Sequence, residues 1–304
     1  MAVFLVLAAI IGVSAGYFFS AQKGFSYESA LDEYASGNYD QSLLKSEKIL
    51  EKNPTSKEAM KLAANSAYSL HNYGQAVRLY RQIIASDEAD FQDHLYLGSS
   101  LLNIYIESKI SKTAIDNQLL KESEEALEMA LQLSSDSNNV LLTSELARVK
   151  YRLGKYQESI RFWNTSFLNT GNPQYLNNIG WAYLVLRDLK AADSYFERAT
   201  GGEVNQGQRY LGMGWSAIHK NQSDNALMHF QQVQRLHPNE LSSLEGMGVG
   251  LMMQSRCEEA IPYFKKVVGS VSAPLALHEF ATERLGRCYF ELDNFEEAEK
   301  YLEN

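Results

Sequence analysis

Few residues of this 304-residue sequence have the spacing of a catalytic or metal site. None of its histidines stands in a close pair such as the HExxH metal motif, and the local sequence holds no Ser/His/Asp or Cys/His set. We therefore expect a protein that is not an enzyme and that needs no metal ion and no cofactor. The histidines are His71, His94, His219, His229, His237 and His278.

The cysteines and the glycine runs resemble parts of known motifs, but neither forms a complete disulfide scaffold, zinc site or phosphate-binding loop. Cys257 and Cys288 are too few for a disulfide scaffold or a four-ligand zinc site, and both fall at positions that suit packing, as free cysteine often does. A disulfide between them is the alternative. The glycine runs at 212–214 and 246–250 imitate a phosphate-binding loop. They lie inside predicted helices instead of between a strand and a helix, so we discard that interpretation.

The composition indicates a folded, acidic, helix-rich protein. Apolar residues make up 45% and charged residues 21% of the chain, which excludes a disordered protein. Only five prolines are present, which predicts long helices joined by short turns. The net charge of −9 argues against nucleic-acid binding, because that requires clustered Lys and Arg.

Small residues recur about every 34 residues along the chain. Each is followed by a second small residue and then, one helical turn later, by a mostly bulky one. Small residues on facing helices let the two axes approach closely, and the bulky residue fills the space beside them. Neither helix can bury its face alone, so neighbouring repeats must stack. The first series comprises Ala30, Ala64, Gly98, Ala147, Gly180, Gly214, Gly248 and Gly286, and the bulky series comprises Ser46, Tyr80, Leu127, Trp163, Phe196, Phe230, Phe264 and Leu302.

This pattern resembles the tetratricopeptide repeat family. The resemblance covers residues 23–304 and implies an all-α fold, a right-handed α-solenoid of about eight helix-turn-helix repeats. Repeat one departs from the pattern, with Ser42 and Ser46 where an alanine and an aromatic residue are usual. The best local matches are Asn178-Ile179-Gly180-Trp181-Ala182-Tyr183 with Ala192, Phe196 and Ala199, and Gly214 with Ala226, Phe230 and Pro238.

The third repeat carries an insertion of about 13 residues, near 104–117. Apolar residues continue through 101–106 and resume at Leu119 and Leu120. This spacing fits a longer helix hairpin that projects from one face. A tolerated loop insertion fits equally well, because lengthening a surface loop costs little free energy.

The amino-terminal residues 2–19 form an uncharged apolar run that is just long enough to cross a bilayer as a helix. We expect residues 1–22 to be a transmembrane anchor, which makes the chain a single-pass membrane protein whose orientation the sequence leaves open. The alternative is a signal peptide, cleaved before Gly16, on a secreted or periplasmic protein. The basic segment that begins most signal peptides is missing here.

The resemblance also implies a concave groove, lined by the first helix of each repeat, that holds a peptide or a partner helix. The positions just after the small glycines form an aromatic and Met-rich strip, which suits an apolar peptide or an amphipathic helix. The alternative is that Trp181 and Trp215 are core residues that stack on neighbouring repeats. The candidate groove residues are Trp181, Leu184, Trp215, Ile218, Met252, Met253, Arg287 and Phe290, flanked by Val185, His219, Val249 and Glu291.

Some members of the family hold a partner's terminal carboxylate in a charge clamp. Lys61 and Asn65 match the first half of such a clamp. Leu141 and Glu145 stand where the second half is expected and do not match it. The sequence therefore argues against this mode of binding.

These features predict a non-enzymatic protein-protein interaction scaffold, similar to bacterial members of the family. It would bind a partner segment in the groove during assembly of an envelope or membrane complex. The alternatives are a secreted or periplasmic binding module and a regulatory subunit of an enzyme. The expected partners are a protein or peptide and, through residues 2–19, a membrane. Self-association through the last repeat is a further expectation.

Overall fold

A computed structural model describes residues 26–86, 89–110, 117–201 and 203–302. These residues fold into stacked helical hairpins. Those ranges contain 16 helices and no strand, so the predicted all-α fold is confirmed. The first helices of the hairpins are α1 (Tyr27–Ala35), α3 (Lys57–Ser69), α5 (Phe91–Ile110), α7 (Val140–Arg152), α9 (Pro173–Val185), α11 (Glu203–His219), α13 (Leu241–Met252) and α15 (Leu275–Glu291). The second helices are α2 (Tyr39–Lys52), α4 (Tyr73–Ile84), α6 (Gln118–Leu133), α8 (Tyr156–Thr170), α10 (Leu189–Arg198), α12 (Ser223–Leu236), α14 (Cys257–Val268) and α16 (Phe295–Leu302).

Residues with short polar side chains form the N-caps of many of these helices. The Asn139 side chain accepts a hydrogen bond from the Leu142 N–H at 3.0 Å, at the start of α7. Asp188 accepts one from the Ala191 N–H at 3.0 Å, at the start of α10. These side chains satisfy backbone donors that have no partner within the helix, and so they fix where it begins.

The turn inside most hairpins is closed by one residue in the left-handed conformation. Gly37 and Gly154 hold it in repeats one and four, with φ of 79° and 77°. In repeat one the Asn38 N–H then donates to the Glu33 carbonyl at 2.9 Å, which completes a Schellman cap. Five other hairpins use residues that carry a side chain at the same point: His71, Arg187, Asn221, Ser255 and Asp293.

Glycines in the first helices make room for a buried ring from the second helices. A Cβ added to Gly214 would lie 2.6 Å from Cε1 of Phe230, inside van der Waals contact. Gly180 has the same relation to Phe196, and Gly248 to Phe264. All three phenylalanines are fully buried. The glycine runs are therefore packing sites in helices, which rules out the phosphate-loop interpretation for them.

Serines replace these apolar contacts in the first repeats. The Ser66 hydroxyl donates to Ser42 Oγ at 2.9 Å, which joins α3 to α2 through two buried side chains. In repeat three the Ser123 hydroxyl donates to the Gly98 carbonyl at 2.7 Å. Small polar residues thus allow the same close helix approach that glycine and alanine give elsewhere.

The first helix of repeat three is longer than its counterparts. The α5 helix has 20 residues, whereas α3, α7 and α9 have 13 each. Part of the insertion therefore extends a helix. Residues 111–116 lie outside the described part of the chain, so the choice between a projecting hairpin and a loop stays open.

Contacts divide the helices into two compact units. The first unit holds α1 to α4, α5 as far as Ile106, and α6, and the second unit holds residues 107–110 of α5 together with α7 to α16. The predicted anchor or signal segment at 1–22 lies outside the described residues. Within those residues, no helix combines the length and the apolar character needed to cross a membrane.

Candidate functional site

The second unit has an inner side that its first helices form. α9 contacts α11, α11 contacts α13, and α13 contacts α15. Second helices of neighbouring repeats make no comparable contacts among the described residues. A stack in which one row of helices converges and the other spreads apart is curved, with the converging row on the inside. The first helices α9, α11, α13 and α15 therefore form the concave side of this part of the unit.

Two tryptophans on this side are half-buried, and each packs against a phenylalanine of the second helix in its repeat. The Trp181 ring packs edge-on against Phe196 with centroids 5.8 Å apart, and Trp215 packs in the same way on Phe230 at 5.5 Å. The Trp215 indole N–H also donates to Ser242 Oγ at 3.1 Å, across to α13. Both rings therefore combine a packing role with a partly exposed surface.

Apolar side chains on the concave-side helices, or directly after them, extend this surface outward. Ile218 and Met252 are half-buried against the core of the unit, whereas Val185, Met253 and Phe290 are 45%, 37% and 58% exposed. The Phe290 ring contacts the Phe295 ring edge-on at 5.5 Å. We call this set the first-helix strip; it consists of Trp181, Val185, Trp215, Ile218, Met252, Met253 and Phe290.

Leu184 does not belong to the strip, although the repeat spacing predicts that it does. Its side chain is 4% exposed and packs in the core with Ala192 and Phe196. The equivalent residues Ile218, Met252 and Phe290 are more exposed. Equal spacing along the chain therefore does not give equal exposure, because the neighbouring side chains differ from repeat to repeat.

Charged residues on the strip's side are paired within the chain. The Arg287 guanidinium contacts Glu283 Oε1 at 2.6 Å on the same helix. Arg284 forms an ion pair with the buried Glu245 of α13, and its guanidinium also lies 5.5 Å from the centre of the Phe280 ring. Burial raises the pKa of Glu245, although Arg284 opposes the shift.

The sequence interpretation missed Glu245, Phe280 and Arg284. They precede the small glycine of their helices, whereas the predicted groove positions all follow it. Counting back on the same face would have found them, by one helical turn for Glu245 and Arg284 and by two turns for Phe280.

His219, which flanks the strip, has an internal partner. An Arg187 N–H donates to His219 Nδ1 at 2.7 Å, so this nitrogen accepts and the imidazole is neutral in this arrangement. Burial and the Arg187 charge both lower the pKa of His219. The described residues contain no group of three or more His, Cys, Asp or Glu side chains arranged to hold a metal ion.

The two cysteines are buried and not joined by a disulfide. Cys257 donates to Glu291 Oε2 at 3.1 Å. Burial raises the pKa of both thiols, which keeps them protonated and poorly nucleophilic. They act as packing residues at the junction of repeats seven and eight, where both lie in the core of the second unit.

Lys61 and Asn65, which match the first half of a charge clamp, already bind other side chains of this chain. The Lys61 ammonium contacts Asp90 at 2.8 Å and the buried Asp93 at 2.7 Å. Asn65 accepts a hydrogen bond from the Tyr80 hydroxyl at 2.7 Å. The groups that would have to receive a partner's carboxylate already hold internal partners, which agrees with the mismatch at Leu141 and Glu145.

Three models of the tetratricopeptide repeat match separate parts of the chain, at 27–91, at 173–201 and 283–304, and at 210–240. The chain contains tetratricopeptide repeats. The matched segments include repeat one, despite its serines at the usual alanine and aromatic positions. Tetratricopeptide repeats are typically non-enzymatic modules of protein interaction. None of the curated proteins matches the sequence significantly.

Solved structures share this fold at low sequence identity. A tetratricopeptide repeat protein from Parabacteroides merdae is 17% identical, with a TM-score of 0.62 over 82% of this chain and 91% of that one. Pseudomonas aeruginosa PilF is 20% identical, with a TM-score of 0.52 over 74% and 96%. PilW, a type IV pilus biogenesis factor, is 17% identical, with a TM-score of 0.54 over 67% and 90%. At these identities the similarity concerns the fold alone.

Proposed function

We propose that this protein is a non-enzymatic scaffold whose first-helix strip captures an apolar segment of a partner protein. The observation that carries the proposal is the exposure of Val185 on α9, of Met253 directly after α13, and of Phe290 on α15, which are three of the four concave-side helices. Large apolar side chains that line one concave side and stay exposed are typical of interaction surfaces.

The chemistry of the strip favours an amphipathic helix or an extended apolar peptide as the ligand. Tryptophan and phenylalanine offer large contact areas, and methionine adapts its shape to different partners. Arg284 and Arg287 are paired with Glu245 and Glu283, so they present little uncompensated charge. A partner would therefore gain more by burying apolar surface than by ion pairing.

We further propose that residues 2–19 bring the scaffold to a membrane, where it serves assembly of an envelope or membrane complex. This placement rests on the uncharged apolar run of the sequence. The amino-terminal residue of the mature protein tests it. A mature chain that keeps Met1 or Ala2 and fractionates with membranes supports the anchor, and a soluble chain that begins near Gly16 contradicts it.

A matched pair of methionine variants tests the strip. Trp215→Asp is a poor probe, because Trp215 also packs on Phe230 and bonds to Ser242. Met253→Asp places a charge on the strip, whereas Met228→Asp places one on α12, a second helix, at a residue that is 49% exposed. Affinity purification followed by quantitative mass spectrometry measures the partners that the wild type enriches.

We expect Met253→Asp to reduce partner recovery about tenfold, which corresponds to about 1.4 kcal/mol, with Met228→Asp near the wild type. Circular dichroism checks that both variants are folded. Equal recovery by two folded variants would contradict the proposal.

A further inference from the structure

The guanidinium of Arg187 lies beside the first-helix strip and binds a neutral group. It donates to His219 Nδ1 at 2.7 Å, and an imidazole that accepts at this nitrogen is neutral. None of the ion pairs among the described residues includes Arg187. Arg284 and Arg287 differ from it, since each of them pairs with a glutamate. The positive charge of Arg187 is therefore uncompensated within the part of the chain that the structure describes.

Two aspartates close to this pair in the sequence have other partners. Asp188 caps α10, because its side chain accepts a hydrogen bond from the Ala191 N–H at 3.0 Å. Asp193 forms an ion pair with Lys220, the residue after His219. Neither carboxylate forms an ion pair with the guanidinium.

Arg187 and His219 lie in the middle of a row of strip residues. Val185, His219 and Met253 share one position in three successive repeats, five residues after the small glycine. Val185 and His219 end α9 and α11, and Met253 directly follows α13. Because α9 contacts α11 and α11 contacts α13, these residues follow one another along one edge of the concave side. A partner segment that covers both Val185 and Met253 therefore passes over the exposed Arg187 and His219.

Covering the Arg187 guanidinium costs free energy unless the partner provides a matching group. A charge that loses its water is unfavourable until an opposite charge and hydrogen bonds replace the water. A guanidinium carries several N–H donors, and its planar edge fits both oxygens of a carboxylate. An acidic side chain of the partner would satisfy the charge and these donors together.

We propose that the first-helix strip binds a partner segment with one Asp or Glu between two apolar contacts, and that this carboxylate binds Arg187 beside His219. The inference rests on the proposed function of the strip and names the chemistry of the partner. The carboxylate belongs to a side chain within the segment instead of its carboxyl terminus. The reason is that the exposed apolar residues Val185 and Met253 continue the strip on both sides.

Short random peptides displayed on phage provide the probe. The library is selected on the immobilised full chain and on its variants Arg187→Gly and Met253→Asp. Glycine fits the turn at residue 187, because the backbone there has φ of 64° and Gly37 and Gly154 hold the equivalent turns. Lys190→Gln is the control, since it removes an exposed positive charge on the second helix α10.

We expect the wild type and Lys190→Gln to enrich apolar peptides that contain one Asp or Glu between apolar residues. Arg187→Gly should enrich apolar peptides without this acidic residue, and Met253→Asp should lose the enrichment. Circular dichroism verifies folding of every variant.

A double-mutant cycle then connects the carboxylate to Arg187. The consensus peptide is compared by fluorescence anisotropy with its amide counterpart, in which Asn or Gln replaces the acidic residue. The amide peptide should bind the wild type about tenfold more weakly than the acidic peptide does. Arg187→Gly should bind the two peptides equally.

Two results would overturn the inference while the strip stands. The first is a set of apolar peptides that the wild type selects and Met253→Asp loses, but that lacks an acidic residue. The second is an equal loss of affinity for the amide peptide in wild type and Arg187→Gly, because the carboxylate would then bind elsewhere. A wild type that enriches no apolar peptides, or an enrichment that Met253→Asp retains, would contradict the strip itself and this inference with it.

Discussion

The ring of Phe230 lies against Gly246, a residue of the first helix of the next repeat, so closely that a Cβ at Gly246 would overlap it. This contact joins two repeats in the way that Gly214 and Phe230 join two helices of one repeat. We expect Gly246→Ala to lower the free energy of unfolding by about 1–3 kcal/mol, because overpacking outweighs the gain in helix propensity. Urea denaturation measures the change.

Gly74→Ala is the matched control for this substitution. Gly74 also lies in a helix, but a Cβ there has nothing within 4 Å. Alanine should therefore leave stability unchanged or raise it by up to about 1 kcal/mol. Equal effects of the two substitutions would contradict the packing role of Gly246.

Two buried serines of the first unit should respond oppositely to alanine. Ser46 Oγ is buried and has no hydrogen-bond partner among the described residues, whereas the Ser66 hydroxyl bonds to both Ser42 and the Leu62 carbonyl. Ser46→Ala should stabilise the protein by about 1 kcal/mol, and Ser66→Ala should destabilise it by a similar amount. Thermal denaturation followed by circular dichroism compares them. A destabilising Ser46→Ala would mean that the Ser46 hydroxyl has a partner in solution.

The stability of the second unit should fall in mild acid because of His229. Burial and, next, the charge of Arg209 lower the pKa of His229 below its ordinary value of 6.5, while Asp193 opposes them. Below pH 6.5 the unfolded chain binds more protons at this site than the folded chain. The free energy of unfolding therefore decreases as the pH falls through that value.

His229→Phe removes this titration and keeps an aromatic ring against Tyr210, whose ring stacks on His229 at 6.1 Å. The difference in the pH dependence of stability between wild type and variant gives the contribution of His229. It excludes the contributions of other histidines whose pKa is lowered, such as His94 and His219. Urea midpoints between about pH 8 and pH 5 provide the measurement. Parallel curves for the two proteins would show that His229 does not carry the effect.

The repeat pattern predicted most of the fold because it reports on packing. Gly214 and Phe230 recur in phase with their counterparts, since helices can stack closely only where a small residue faces a bulky one. The turns at Gly37 and Gly154 have a different signal, since glycine adopts positive φ at little cost. His71 and Arg187 hold the same conformation without any signal in the sequence.

The candidate site was less predictable, because exposure depends on neighbours in space. Leu184 and Met252 share one position in the repeat, yet only Leu184 is fully buried. Glu245 and Arg284 come from different repeats, and their ion pair depends on how α13 and α15 pack. Spacing along the chain identifies the helix face, but it does not determine which side chains a neighbouring helix covers.

Site-specific photocrosslinking in the native cell tests capture of a partner by the first-helix strip most directly. A benzophenone amino acid replaces Met253 or Phe290 on the strip, or Met228 on the second helix α12. We predict adducts with a common partner protein from positions 253 and 290 and none with it from position 228. Adducts with that partner from position 228 alone, or equal yields from all three positions, would contradict the account.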